Sequence, residues 1–549
     1  MRFWRRVAIA VGILALVVAG LAWLAHIPLS SERLRSSIVN SLGRTFQSKV
    51  ELDAVELQLL PRLHIVGHGL VIRHRRLEQV PLIAVRQFTV SSTITSLFRS
   101  HVEDVVLDGL EIQIPPKDPA GDNAAPATAG TAATAATEGA RATESSGEEA
   151  QSSMRRLARE IVIDRLVADE SSLTILRRDP TRPPRVWSMH QLRMQSVGAT
   201  HAIPFQSVLT NAVPPGEIDT QGTFGPWDAA EPSLTPIEGT FVFEKADLGV
   251  FNGLDGTLSA HGNYKGPLER LDVTGQTTTP DFTITLGNHP VLLQANYHAV
   301  VDATNGNTTL ERVDATFGQT SLVAAGGVYE VPGQKGRRVS LAVTMNKGRL
   351  DDVLLLVIDA PKPVMTGGLA MTSTLDLPPG DRDVVDKLQL KGRFRISNGR
   401  FTDPGVQERI DTLSGRAQPG DEKATHVSSQ FAGDFTLGNG RLSLQPVQFD
   451  VPGALVNVIG EYGLRQGSLA FAGHVQMDAS MSQAVGGWKG LALKPFDPLF
   501  QRNGRTFVPI VITGVRGNPK FGLDRGRLFH KDNPPVVPHP EPATTHGSR

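Results

Sequence analysis

The sequence predicts a mainly β protein that begins with one transmembrane helix, and three observations support this. Glycine (54) and proline (37) together exceed their usual share of about 12%, which suits many turns between short strands. Apolar and polar residues alternate along most of the chain, the period of a strand with one buried face. Residues 7–25 contain no charged side chain.

Composition excludes several classes of function. The 549 residues, a length typical of roughly three or four domains, include 55 Lys plus Arg and 55 Asp plus Glu, so no net field attracts nucleic acid. Cysteine is absent, which excludes disulfides, thiol nucleophiles, zinc–thiolate sites and iron–sulfur clusters.

Residues 1–29 are expected to form a cytoplasmic tip and a membrane anchor. As a helix, residues 7–25 would span about 28 Å, close to the hydrocarbon core of a bilayer. Three arginines precede the run, which places the N-terminus in the cytoplasm and the bulk of the chain across the membrane. A cleaved signal peptide is the alternative, but its apolar core is typically only about 7–15 residues long. The anchor residues are Trp4, Val7, Ile13, Leu16, Leu21 and Trp23.

Residues 30–114 are predicted to form one amphipathic helix followed by strands. Leu34, Ile38 and Val39 recur at helical spacing, and Gly43 is suited to end the helix. The runs that follow alternate with a period of two as far as residue 114.

Three further segments complete the chain. Residues 115–153 consist almost wholly of small and polar residues and predict a disordered linker. Residues 154–528 predict a β-rich body; at about 10–13 residues per strand and turn, the β-rich part of the chain corresponds to roughly 30–40 strands. Within this body, Asp403 and Pro404 predict a helix start, whereas residues 351–358 fit either a helix or a buried strand. Residues 529–549 are proline-rich and predict a disordered tail.

No motif points to catalysis, a cofactor or a metal. Nucleotide-binding glycine loops, the serine-hydrolase elbow and the zinc-protease helix are all missing from the sequence. His64, His68 and His74 share strand parity, yet no carboxylate accompanies them, so surface histidines are the simpler interpretation. We therefore expect a protein that is not an enzyme.

The more informative pattern is a set of apolar strand faces in the second half of the chain. Such faces normally close on each other as sandwich cores, which is one interpretation. The other is an open groove that shelters acyl chains at about 0.8 kcal/mol per buried methylene. Periodicity leaves both open. The candidate lining residues are Leu442, Leu444, Val456, Val458, Leu469, Phe471, Val475 and Met477.

The chain resembles the AsmA family of envelope proteins. The likeness covers most of residues 1–115 and, more weakly, residues 155–525, and the segment at 115–153 departs from the family pattern. It rests on the anchor, the amphipathic helix and the following turn and core positions: Arg44, Leu60-Pro61, Phe88, Ser96-Leu97, Leu107-Asp108-Gly109, Ile112, Gly225-Pro226-Trp227-Asp228 and Gly438-Asn439-Gly440.

This resemblance implies an inner-membrane protein with a periplasmic body, related to bridge-like, chorein-N-like lipid-transfer proteins whose stacked strands form a long hydrophobic groove. It carries no catalytic residues. We therefore expect a single-pass inner-membrane protein that carries phospholipid along the groove towards the outer membrane and supports envelope lipid homeostasis. The alternative is an envelope scaffold or outer-membrane protein assembly factor with closed β cores, whose partners are assembly proteins.

Overall fold

The structure is a computed structural model, and it describes most of the chain after the predicted anchor. The described residues are 32–46, 48–58, 62–73, 79–93, 95–96, 101–114, 162–175, 185–198, 201–228, 231–417, 427–480, 482–483, 497–502, 505–524, 526–527 and 535–538. The predicted anchor at 1–29 and linker at 115–153 lie outside these ranges, as does most of the predicted tail at 529–549.

The chain is mainly β, as the sequence predicts, with 26 strands among the described residues. Many strands are 10–14 residues long without their turns, so each strand and turn together take up more of the chain than the sequence estimate of about 10–13 residues. The strands are β1 (Val50–Glu51), β2 (Ala54–Gln58), β3 (Leu63–Arg73), β4 (Pro81–Ser92), β5 (His101–Ile114), β6 (Val162–Ile175), β7 (Arg185–Val197), β8 (Ile203–Ala212), β9 (Pro215–Phe224), β10 (Pro236–Asp247), β11 (Leu254–Asp255), β12 (Thr257–Pro267), β13 (Leu271–Ile284), β14 (Val291–Val301), β15 (Thr308–Phe317), β16 (Thr320–Glu330), β17 (Arg337–Arg349), β18 (Met365–Leu377), β19 (Gln389–Phe401), β20 (Ser429–Gly438), β21 (Arg441–Val451), β22 (Ala454–Gly463), β23 (Ser468–Met477), β24 (Gln501–Arg502), β25 (Arg505–Val515) and β26 (Asn518–Leu523).

Among the described residues, helices are few and short. They are α1 (Glu32–Phe46), α2 (Leu350–Val357), α3 (Val384–Lys387), α4 (Pro404–Ala417) and α5 (Asp497–Phe500), with 3₁₀ turns at Pro232–Leu234 and Leu248–Val250. In the described part of the chain, none of them has both the length and the apolar character needed to cross a bilayer.

The local chemistry explains where the helices lie. Asp403 accepts a hydrogen bond from the backbone N–H of Val406 (2.9 Å), so the predicted start of α4 is confirmed. Residues 351–358 could be a helix or a strand by sequence, and the structure places 351–357 in α2, with Ile358 as the extended residue that follows it. Gly43 does not end α1, which continues to Phe46.

The chain divides into two compact units. Unit 1 comprises Met1–Phe243, Gly262–Asp272 and Val301–Gly306, and unit 2 comprises Glu244–His261, Val273–Val300 and Asn307–Arg549.

In unit 1, β2 to β9 pair in chain order, and all these pairs are antiparallel except β5 and β6. The parallel pair sets His101 beside Val162 and Ile114 beside Ile175. The strands on either side of the predicted linker are therefore hydrogen-bonded neighbours in one sheet.

Helix α1 covers the apolar face of this sheet. Leu34, Ile38 and Val39 pack against a core that includes Leu52 and Phe88. The side chain of Arg35 also donates a hydrogen bond to the carbonyl oxygen of Leu52 (2.5 Å), which ties the helix to the edge of the sheet. The predicted apolar stripe of the helix is thus the surface that it buries.

In unit 2, β15 to β23 pair in chain order as an antiparallel meander, which continues through β25 to β26. Helices α2, α4 and α5 occupy the connections β17–β18, β19–β20 and β23–β24. All three connections leave the same end of the strands, so the helices gather at that end of the sheet.

We expect Leu52→Ala to destabilise unit 1 by about 2–5 kcal/mol, because Leu52 is only 1% exposed within the core beneath α1. Urea unfolding of the full chain measures the effect. Leu292→Ala is the control: Leu292 is 49% exposed and its truncation should change stability by less than about 0.5 kcal/mol. Equal effects from the two changes would contradict this assignment of the core.

Candidate functional site

The strongest candidate site is the apolar face of the unit 2 sheet, where cross-strand partners form continuous rows. The row farthest from α2, α4 and α5 consists almost wholly of leucines, and we call it the leucine row. It runs through Leu341, Leu375, Leu390, Leu437, Leu442, Tyr462 and Leu469. All seven side chains are half-buried, so no packed layer fully covers this row.

A second row, the middle row, combines large apolar residues with two glycines. It runs through Val343, Ser373, Gly392, Phe435, Leu444, Gly460, Phe471 and Ile512. The ring of Phe471 lies against the α-carbon of Gly460, and a side chain at position 460 would collide with it. The glycine thus lets an aromatic ring lie on the neighbouring strand.

The third row, the helix row, lies under the helices and is closed. It runs through Leu369, Ile396, Phe431, Phe449, Val456, Val475 and Val508. Ile410 and Leu413 of α4 and Phe500 of α5 pack on its second half, and Val353 and Leu354 of α2 pack on its first half. The same sheet face is therefore a closed core at one end and half-open at the other.

The three rows carry no charge. None of their residues has an acidic or basic side chain of the Asp, Glu, Lys, Arg or His type. On β19 the opposite face is charged: Lys391, Arg393 and Arg395 alternate with the row residues and are exposed. The register of this strand therefore separates an apolar side from a hydrated side.

The structure divides the eight sequence-predicted lining residues into two sets. All eight lie on one face, because their cross-strand partners are in register. Leu442, Leu444, Leu469 and Phe471 are half-buried in the leucine and middle rows. The other set, Val456, Val475 and Met477 with Val458 packed against them, belongs to the closed core beneath α4.

Sequence reasoning missed the half of the face that precedes these residues. Leu341, Leu375, Leu390 and Leu437 continue the leucine row across β17 to β20. The sequence shows apolar–polar alternation within those strands. The antiparallel register that joins them into one row depends on how the strands pair, which alternation alone does not predict.

Unit 1 repeats the arrangement independently. One row runs through Leu57, Ile65, Val90, Val105, Leu166, Met194 and Phe205. The ring of Phe88 lies against Gly67, as Phe471 lies against Gly460 in unit 2. The row crosses from β5 to β6 without interruption, so the parallel pair keeps the apolar face continuous.

A contact between two distant loops, which we call the clasp, links residues 251–253 with residues 381–386 in unit 2. Asn252 donates to the carbonyl oxygen of Asp381, and its own carbonyl accepts from the backbone N–H of Val384 (2.7 Å). Gly253 has φ of 97° and faces Asp383 so closely that a side chain would clash. The two loops are 129 residues apart, so the contact fastens separate strands of the unit.

Ion pairs extend the clasp to the β22–β23 turn. Arg465 forms a bidentate pair with Asp386 (2.8 and 2.8 Å) and contacts Asp383 (2.9 Å). This guanidinium lowers the pKa of the Asp386 carboxyl below its ordinary 3.8.

The predicted absence of catalytic and metal chemistry is untested. His64 and His68 lie on one face of β3, and His64 contacts the hydroxyl of Ser91 (3.2 Å). His74 lies outside the described residues, within which no group of three potential metal ligands occurs.

Comparison with known proteins finds no matching family model, curated protein or solved structure.

We expect the Asp386–Arg465 pair to stabilise the fold above pH 4 and to lose this effect as the pH falls. The pKa of Asp386 is lower in the folded chain than in the unfolded chain. The pair therefore contributes its full stability at a pH above the unfolded-state pKa, and this stability is lost as the carboxyl becomes protonated. The free energy of unfolding of wild type and Arg465→Gln, measured between pH 7 and pH 3, should converge on acidification. A stability difference between the two proteins that stayed constant with pH would contradict the expectation. As a control, Arg465→Gln in an Asp386→Asn background should cause a smaller loss of stability that depends little on pH.

Proposed function

We propose that this chain is an AsmA-like, inner-membrane-anchored envelope protein that carries phospholipid along an apolar β-groove towards the outer membrane. The observation that supports this most strongly is the leucine row. Seven half-buried apolar side chains cross seven strands beside a closed core, with no charged residue among them.

The energetics of such a face suit acyl chains. Each methylene transferred from water to an apolar surface gains about 0.8 kcal/mol, so a chain that lies along the row is held by many small, equal contributions. Equal contributions also make movement along the row easy, since no single contact must break at great cost. A charged headgroup has no partner on this face and would stay in water.

The transfer is passive in this proposal. The predicted anchor at residues 1–29 would fix one end of the protein at the inner membrane, and the β-rich body would lie in the periplasm. No cofactor is required, so the direction of transfer would come from a lipid gradient or from a partner protein.

The test compares two neighbouring positions of β21. Leu444 is half-buried in the middle row, whereas Gln445 is exposed. Leu444→Asp should remove most of the phospholipid that copurifies with the full chain, because it sets a carboxylate among the acyl chains. Gln445→Asp adds the same charge and should leave lipid content unchanged. Native mass spectrometry with lipid extraction measures the amount of phospholipid bound to each variant.

Val475→Asp is a poor test of lipid binding. Val475 is 8% exposed in the core beneath α4, so a carboxylate there is expected to unfold this part of unit 2 rather than to block a groove. A wild-type chain that is folded yet free of lipid would overturn the proposal. Recovery of envelope assembly proteins in stoichiometric amounts would then favour the scaffold function.

A further inference from the structure

The face of unit 2 opposite the apolar rows contains a polar cleft of about 390 Å³. It is lined by residues of five strands, β13 to β17, and its size falls within the range of about 300–1,000 Å³ that is common for small-ligand sites. Asp314 pairs with Val323, and Val323 pairs with Thr344, so these lining residues share one face. Val343, the neighbour of Thr344, belongs to the apolar middle row on the other side.

Three β-bulges surround the cleft. The register shifts between Leu310 and Val313, between Ser321 and Val323, and between Met345 and Gly348, in successive strand pairs. Bulges bend a strand and redirect its side chains, and they occur often beside functional sites. Here they turn Ser321, Asn346 and Lys347 towards the cleft.

The lining is rich in amides with unused hydrogen-bonding capacity. Gln276, Gln294, Asn296 and Asn346 all border the cleft, and within the described residues none of their side chains makes a hydrogen bond. Each amide has two N–H donors and one acceptor oxygen, which matches the mixed donor and acceptor character of sugar hydroxyls and acetamido groups.

The charges of the cleft argue against an ionic ligand. Asp314 is held by Arg312 through two hydrogen bonds (2.6 and 2.7 Å), and this contact lowers the pKa of its carboxyl. Lys347 is the one cationic residue in the lining, so an anion would face one lysine and one carboxylate together. Leu322 and Val323 also line the cleft, but an acyl chain there would cover the amides and threonines and leave them without hydrogen-bond partners. Three clustered metal ligands do not occur among the described residues.

We propose that the cleft binds a short, neutral carbohydrate through its amide side chains. The site is independent of lipid carriage, because the two ligands would occupy opposite faces of the sheet. An envelope protein with such a site would hold lipid on one side of the sheet and contact a glycan on the other.

The test uses N,N′-diacetylchitobiose as the probe and the purified full chain as the receptor. Ligand-observed saturation-transfer NMR should detect binding, and a titration gives the affinity. The double change Gln294→Ala with Asn296→Ala should weaken binding about tenfold, since it removes two hydrogen-bonding groups. Both side chains are exposed, so the fold should be unaffected.

Gln389→Ala is the matched control, because Gln389 is an exposed strand glutamine outside the cleft, and it should bind like wild type. Absence of saturation transfer, equal losses in the two variants, or unchanged binding in the double variant would each overturn the proposal. Displacement of the sugar by inorganic phosphate would also overturn it, because the cleft would then be an anion site.

Discussion

The hydrogen-bond register of the sheets is the constraint on which the rest of this structure depends. Side chains alternate between the two faces of a strand, so a slip of one residue would send a leucine of the leucine row to the charged face. Unit 2 keeps its rows aligned over as many as eight strands, β17 to β23 and β25, in spite of several bulges. Between β21 and β22, for example, Leu444 and Val447 are three residues apart, yet their partners Gly460 and Val458 are two apart. The extra residue is absorbed in the bulge, and both side chains remain on the apolar face.

Helices decide which part of an apolar face is closed. In unit 2, α2, α4 and α5 all lie in connections at one end of the strands, so Val456 and Val475 become core while Leu442 and Leu469 stay half-exposed. Unit 1 follows the same rule with α1, which buries Leu52 and Val55 but leaves Leu57 half-buried. The closed-core interpretation of the sequence therefore holds beneath the helices. The half-buried rows at the other level of the same strands are compatible with the groove that we propose.

The sequence predicted the strand-rich class, the apolar stripe of α1 and the start of α4, because these depend on local periodicity and capping. It also placed the eight lining residues on a common face, since none of them follows the bulge between Leu444 and Val447 within β21. It did not separate Val475 from Phe471, because burial of Val475 depends on Ile410 and Leu413, about 60 residues earlier in the chain.

The clasp could not be predicted from the sequence for a similar reason: nothing near Asn252 indicates that its partner is Asp381. The polar cleft depends on bulges in three successive strand pairs, and the positions of bulges are difficult to predict from sequence.

The bulges around β15 to β18 affect both faces of the sheet at once. A bulge that turns Asn346 and Lys347 towards the polar cleft also sets Met345 and Gly348 side by side on the apolar side, where Met345 packs at the closed end with Leu350. Gly348 leaves room for this, because a side chain there would collide with the sulfur of Met345. The shape of the cleft and the packing beneath α2 are therefore set by the same few backbone positions. A sequence change at Gly348 would alter both faces together, whereas a change at Asn346 alters only the polar one.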